Sequence, residues 1–165
     1  MFPEKNNLGN IGFYYGKAGY QDKKIEFFEK AYQKDKTPVN ALNLALTIQY
    51  QDRQKYETLM QECLQMDSEY PYALHYYGEY LMNKGESRGK EMVQKAFDIF
   101  KWRFDNGNLK IEDYHRLADC ANILGNQEFA QQVRQKEKDN RTSEKDLINS
   151  GNLVATKENN SLSKI

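Results

Sequence analysis

Apolar residues recur at helical spacing from the start of the chain. Leu8, Ile11, Tyr14 and Tyr15 share one face of a first helix, and Ala18-Gly19 interrupts it. Ile25, Phe28, Ala31 and Tyr32 then line a second helix. Both runs follow the i, i+3, i+4, i+7 rule of a helix with one buried face. Gly12, Gly16 and Gly19 sit among these aromatics, although each glycine costs a helix interior about 1 kcal/mol relative to alanine. A packing or turn role is therefore expected of Gly12 and Gly19, and Gly16 reads as a surface glycine.

The same arrangement returns further along. "NNLGNIGFYYGKAGYQDKKIEFFEKAYQKD" begins at Asn6, "VNALNLALTIQYQDRQKYETLMQECLQMD" at Val39 and "YALHYYGEYLMNKGESRGKEMVQKAFDIF" at Tyr72. Gly12, Ala45 and Gly78 recur every 33 residues, and so do Gly19, Asp52 and Gly85. A fourth copy near Asp113 puts Ala118 and Gly125 in the matching places, 40 residues after Gly78 and Gly85. The excess is assigned to "RFDNGNLK", which carries the break signal Asn106-Gly107-Asn108. Pro38 and Pro71 fall where the second helices of copies one and two should stop. Paired helices at this period are a solenoid signature.

The residues resemble the tetratricopeptide repeat family. That pattern places a large residue, Leu-Gly and Tyr on the first helix, Gly before the turn, Ala, Phe and Ala on the second helix, and a closing Pro. Copy one matches it with Leu8, Ile11-Gly12, Tyr15, Gly19, Phe28 and Ala31. Copy three matches with Leu74, Tyr77-Gly78, Leu81 and Gly85, and its Ala96 fits if one residue is missing from the second helix. Copy four matches with Leu117-Ala118, Ala121, Gly125 and Ala130. Copy two diverges most, keeping Leu44-Ala45, Ile48 and Leu64. The resemblance implies an all-α, right-handed superhelical solenoid of about four helix-turn-helix repeats, eight helices in all. Its repeats would cover roughly 6–37, 38–70, 71–105 and 110–140 of one domain, 6–140.

Two regions depart from regularity. "GKEMVQKAFDIFKWRFDNG" is long for one helix, with Val93, Ala96, Phe97, Phe100 and Phe104 on one stripe, and it is expected to pack on copy four. Trp102 is read as covering that joint rather than standing exposed for a partner. The polar tail, 141–165, is expected to be disordered, although "SEKDLINS" has the composition to prolong the last helix.

Composition removes several functions. Lys plus Arg and Asp plus Glu number 24 each, so net charge exerts no general pull on nucleic acid or an anionic membrane. No apolar run approaches the ~20 residues that span a bilayer. "MFPEKNNLGN" lacks a signal-peptide pattern, and a cytoplasmic location is expected. There is no phosphate loop, nucleophile motif or marked carboxylate pair, so neither an enzyme nor a cofactor is expected. Cys63 and Cys120 lack metal-type spacing and read as core thiols. His75 and Glu79, with His115 and Asp119 in the equivalent positions of the next copy, are the one constellation with metal-ligand chemistry. Neighbouring first helices lie roughly 10 Å apart, too far to share an ion readily, and no metal is assigned.

In the tetratricopeptide register the concave groove would be lined by Phe13 and Lys17, by Leu42, Asn43, Leu46 and Tyr50, by Tyr72, His75, Glu79 and Met82, and by His115 and Asp119. Leu42, Leu46 and Tyr50 read equally well as core. The family's carboxylate clamp is matched by Asn43 alone, so capture of a C-terminal carboxylate is not expected. The expected function is protein binding, as an adaptor, scaffold or co-chaperone-like module holding a partner's peptide or helix. By analogy with the family, the chain is expected to be a fragment of, or companion to, a larger protein such as a bacterial chaperone. The competing class is a self-associating structural protein, a homodimer through its apolar stripe; a metal or RNA binder is the weakest class.

Overall fold

The computed structural model describes residues 8–143, and the remaining calls on the tail lie outside them. The described residues form helices throughout, with no strand among them. In chain order these are α1 (Leu8–Lys17), α2 (Gln21–Lys34), α3 (Pro38–Ile48), α4 (Arg53–Met66), α5 (Pro71–Asn83), α6 (Arg88–Asp105) and α7 (Tyr114–Ile123). A helix α8 follows over 127–143, and a 3-10 turn, Ile111–Asp113, precedes α7. Residues 141–143, placed in the tail by their polarity, continue α8.

The turns explain why hairpins form where they do. Gly19, Gly85, Gly107 and Gly125 adopt positive φ, between 71° and 86°. In each case the amide that follows the glycine bonds back across the last turn: Tyr20 N–H to the Tyr15 carbonyl, Glu86 to Leu81, Asn108 to Arg103 and Asn126 to Ala121. This left-handed glycine closure satisfies carbonyls that a helix end leaves orphaned. Copy two reaches the same corner differently. Asp52 takes an extended conformation and its carboxylate accepts the Lys55 amide at 2.9 Å, capping α4. Pro38 and Pro71 do not simply end the preceding helices. Each opens the next one at its first turn, where a missing N–H costs nothing.

The described residues fall into two compact units, divided between Ala96 and Phe97 within α6. In the first, α1 packs on α2, α2 on α3, α3 on α4 and α4 on α5. Its core includes Phe28, Leu44, Ile48, Tyr56, Met60, Cys63, Tyr77 and Leu81. Small residues set the closest approaches. A methyl group on Gly12 would lie 3.3 Å from the Lys24 carbonyl and 3.6 Å from the Phe28 ring. One on Gly78 would lie 2.8 Å from the Gly89 carbonyl and 2.9 Å from Val93. The partners of Gly78 thus come one residue earlier in the second helix than those of Gly12. This is the missing residue that brings Ala96, fully buried, into register with Ala31.

The second unit has its own interior, with Phe100, Leu117, Ala118, Cys120, Ala121 and Val133 fully buried. Phe97 and Phe104 meet the Phe129 ring edge-on at 5.7 and 6.0 Å, so the end of α6 packs on α8. Trp102 does not cover this contact. It is 62% exposed, because Phe97, Phe100 and Phe104 occupy the inward stripe and Trp102 lies off it.

Candidate functional site

The corner between α2 and α3 builds a hollow beside α1. Thr37 caps α3 by accepting the Asn40 amide at 3.2 Å. The Asn40 side chain donates to the Asp35 carbonyl at 2.8 Å, which fixes the chain as it leaves α2. The resulting groove has a volume of about 540 Å³. Phe13 and Val39, each 51% exposed, stand on its walls, and Phe28 and Ala31 form its buried floor. Asn10 and Asn43 also line it, and their side-chain amides make no hydrogen bond among the described residues. Lys17 lies one turn beyond Phe13, with its ammonium 4.9 Å from that ring.

A second, smaller hollow of about 240 Å³ lies where the end of α3 meets α4 and α5. Tyr50, 90% exposed, stands at its mouth, and Glu79 lines it. Tyr56 is buried there, its ring edge-on to Tyr80 at 4.9 Å. The Tyr80 hydroxyl donates to the Glu57 carboxylate at 2.6 Å, and Lys84 donates to the same carboxylate at 2.9 Å. These bonds hold the Glu57 carboxyl below its ordinary range and push the Tyr80 phenol up. Burial pushes the Tyr56 phenol up further.

The other residues expected in the groove are dispersed. Leu42 is buried in the core, and Leu46 packs half-buried against it. Tyr72 is half-buried with its ring 5.2 Å from Tyr70. His75 is 3% exposed and stacks on Tyr76 at 4.9 Å, so it is not a surface group. Met82 is half-buried where α5 meets Gly89. In the second unit His115 is exposed, and Asp119 pairs with Arg134 at 3.1 Å. No group of three His, Cys, Asp or Glu among the described residues is arranged to hold a metal. No described helix is long and apolar enough to cross a membrane.

Of the residues expected in the groove, the structure brings together Phe13 with Asn43, and Tyr50 with Glu79. Tyr76, at a position of the family's carboxylate clamp, lines the second hollow, and Asn10, Asn40 and Tyr80 were not among the expected residues. The Thr-Pro-x-Asn run at Thr37 was a capping signal that could have placed Asn40 at the groove.

Neither a protein-family model nor a curated protein sequence matches the chain. Solved structures do. One crystal structure of MamA is 17% identical, with a TM-score of 0.51 over 88% of this chain and 83% of that one. A second crystal structure of MamA protein is 20% identical, with a TM-score of 0.50 over 80% and 72% of the two chains. At such identities the likeness is one of fold: the chain shares with them an all-α helical-repeat architecture.

Proposed function

We propose that the chain is a protein-interaction module, an adaptor or scaffold, that holds a segment of a partner protein in the groove beside α1 and α3. The observation that carries this reading is the pairing in one hollow of exposed Phe13 and Val39 with the Asn10 and Asn43 amides, which are unengaged among the described residues. Apolar side chains standing in water gain about 25 cal/mol per Å² when a partner covers them. An asparagine amide both donates and accepts, which matches the alternating N–H and C=O groups of a peptide backbone. The arrangement suits a peptide or helix with apolar anchors, a recognised mode of helical-repeat surfaces. The likeness to MamA supports the scaffold by fold alone. No chemistry beyond binding belongs to this reading, and the cytoplasm is the compartment in which it would act.

A second reading rests on Tyr14, 68% exposed, whose ring lies 5.9 Å from Phe13. That pair forms an aromatic patch a second copy could cover, making a homodimer. Sedimentation velocity across concentration separates the readings, since only self-association makes the sedimentation coefficient rise.

The test of the first reading compares proteins captured by the immobilised chain with those captured by Phe13→Asp and Asn43→Ala variants. Loss of the same partners from the Phe13→Asp variant, with its helical circular dichroism and melting unchanged, is the expected result. Full retention by both variants would overturn it.

A further inference from the structure

The smaller hollow has a different chemistry from the groove at Phe13. Its walls are aromatic: Tyr50, Tyr56, Tyr76 and Tyr80 all line it. Tyr56 is buried beneath the others, whereas Tyr50 is exposed and Tyr76 and Tyr80 are half-buried. An accessible tyrosine ring presents the electron-rich face of a quadrupole that attracts cations. One carboxylate, Glu79, shares the hollow.

The neighbouring charges set the chemistry that the hollow can accept. Glu57 is answered by Lys84, whose ammonium also lies 5.4 Å from the Tyr80 ring centre. Lys84 and Glu57 thus already show how this wall accommodates an ammonium, between a tyrosine face and a carboxylate. Glu79, which is exposed, has no ion pair among the described residues. Arg53, the other cation whose charge reaches the Tyr80 phenol, is exposed and likewise forms no ion pair among the described residues. Tyrosine faces with one unanswered carboxylate are complementary to a single cation. An aliphatic anchor would leave Glu79 beside apolar surface, and an anion would be repelled by it. The volume of about 240 Å³ admits one long side chain.

From this geometry we infer that the hollow between Tyr50, Tyr76, Tyr80 and Glu79 receives the cationic side chain of a lysine or arginine carried by a partner protein. The inference rests on the protein-binding reading and deepens it by giving the chemistry of one partner residue. Tyr50, almost fully exposed in the free chain, folds over the bound cation, and Glu79 supplies the counter-charge.

The test is titration of the full chain with blocked Gly-Ser peptides carrying lysine, arginine, trimethyllysine or norleucine at the centre. Binding is read by calorimetry and by nuclear magnetic resonance of the tyrosine rings. Lysine and arginine peptides are expected to shift the Tyr50 and Tyr76 rings, with norleucine about tenfold weaker. Glu79→Gln and Tyr50→Ala are each expected to weaken the lysine peptide by about fivefold. Glu128→Gln, a carboxylate on α8, should leave it unchanged, and Arg53→Ala should leave it unchanged or tighter. Trimethyllysine binding more tightly than lysine keeps the cation site and narrows its partner to methylated chains. Equal binding of norleucine, indifference to Glu79→Gln, or loss on Arg53→Ala would each overturn the inference. None of these outcomes touches the Phe13 groove, whose own variants decide the broader reading.

Discussion

Gly78 and Gly89 face each other so closely that each excludes a side chain from the other. A Cβ on Gly78 would lie 2.8 Å from the Gly89 carbonyl oxygen, and one on Gly89 would lie 2.5 Å from the Gly78 carbonyl oxygen. The contact is backbone against backbone, so neither neighbour can rotate away.

Alanine at either glycine should therefore destabilise the fold. The overpacking cost is about 1–3 kcal/mol and exceeds the gain in helix propensity of roughly 1 kcal/mol. Gly16→Ala should behave oppositely. Its Cβ would meet only the flexible Lys24 side chain, at 2.6 Å, which can swing aside. An increase of about 0.5–1 kcal/mol is expected there. Urea denaturation of the three variants checks both signs, and a stabilised Gly78→Ala would contradict the close contact.

The equivalent turns should fail for different reasons. Gly125 holds φ at 86°, a conformation that costs an ordinary residue roughly 1–2 kcal/mol. Gly125→Ala should lose that amount. Asp52 is extended, so Asp52→Gly should cost only a few tenths of a kcal/mol, whereas Asp52→Ala loses the cap and about 1 kcal/mol. The ordering of the two Asp52 variants in denaturant midpoint is the measurement.

The Cys63 thiol is buried, and desolvation, aided by the charge of Asp67, pushes it up to about 12 from 9.0. The unfolded chain therefore releases this proton first as pH rises. Stability contributed by the protonated thiol is present below about pH 9 and is lost progressively between 9 and 12. Iodoacetamide at pH 8 should leave Cys63 unmodified in the native chain and alkylate it in urea. Peptide mapping reads the outcome, and rapid native labelling at Cys63 would refute its burial.

Trp102 is the single tryptophan, and it is 62% exposed. Its emission should be red-shifted and readily quenched by acrylamide. Trp102→Gln should change stability by no more than about 0.5 kcal/mol, as is usual for an exposed site. A blue-shifted emission, or a large loss of stability, would place the ring inside instead.

Residues at equivalent repeat positions show where reading the sequence stops. Leu42, His75 and His115 share one register position, yet Leu42 and His75 are buried and His115 is exposed. Leu46 and Glu79, 33 residues apart, also share a register position, and they too part company, half-buried and exposed. Periodicity assigns a direction around a helix but not what stands opposite. The same limit applies to Gly89, which recurs in no other copy and was singled out only by the backbone it meets.

The sequence by itself determined the eight helices, their pairing around small residues and the left-handed glycines that end them. These depend on spacing along the chain and on local backbone energetics, both of which are written residue by residue. Only the tertiary structure decided that Phe13 and Asn43 share a hollow, that Tyr50 and Glu79 share another, and that Leu42 and His75 are buried while Trp102 is exposed. Burial and cavity shape depend on the offset between neighbouring helices, and a shift of a single residue, as between the Gly12 and Gly78 contacts, re-aims every side chain that follows.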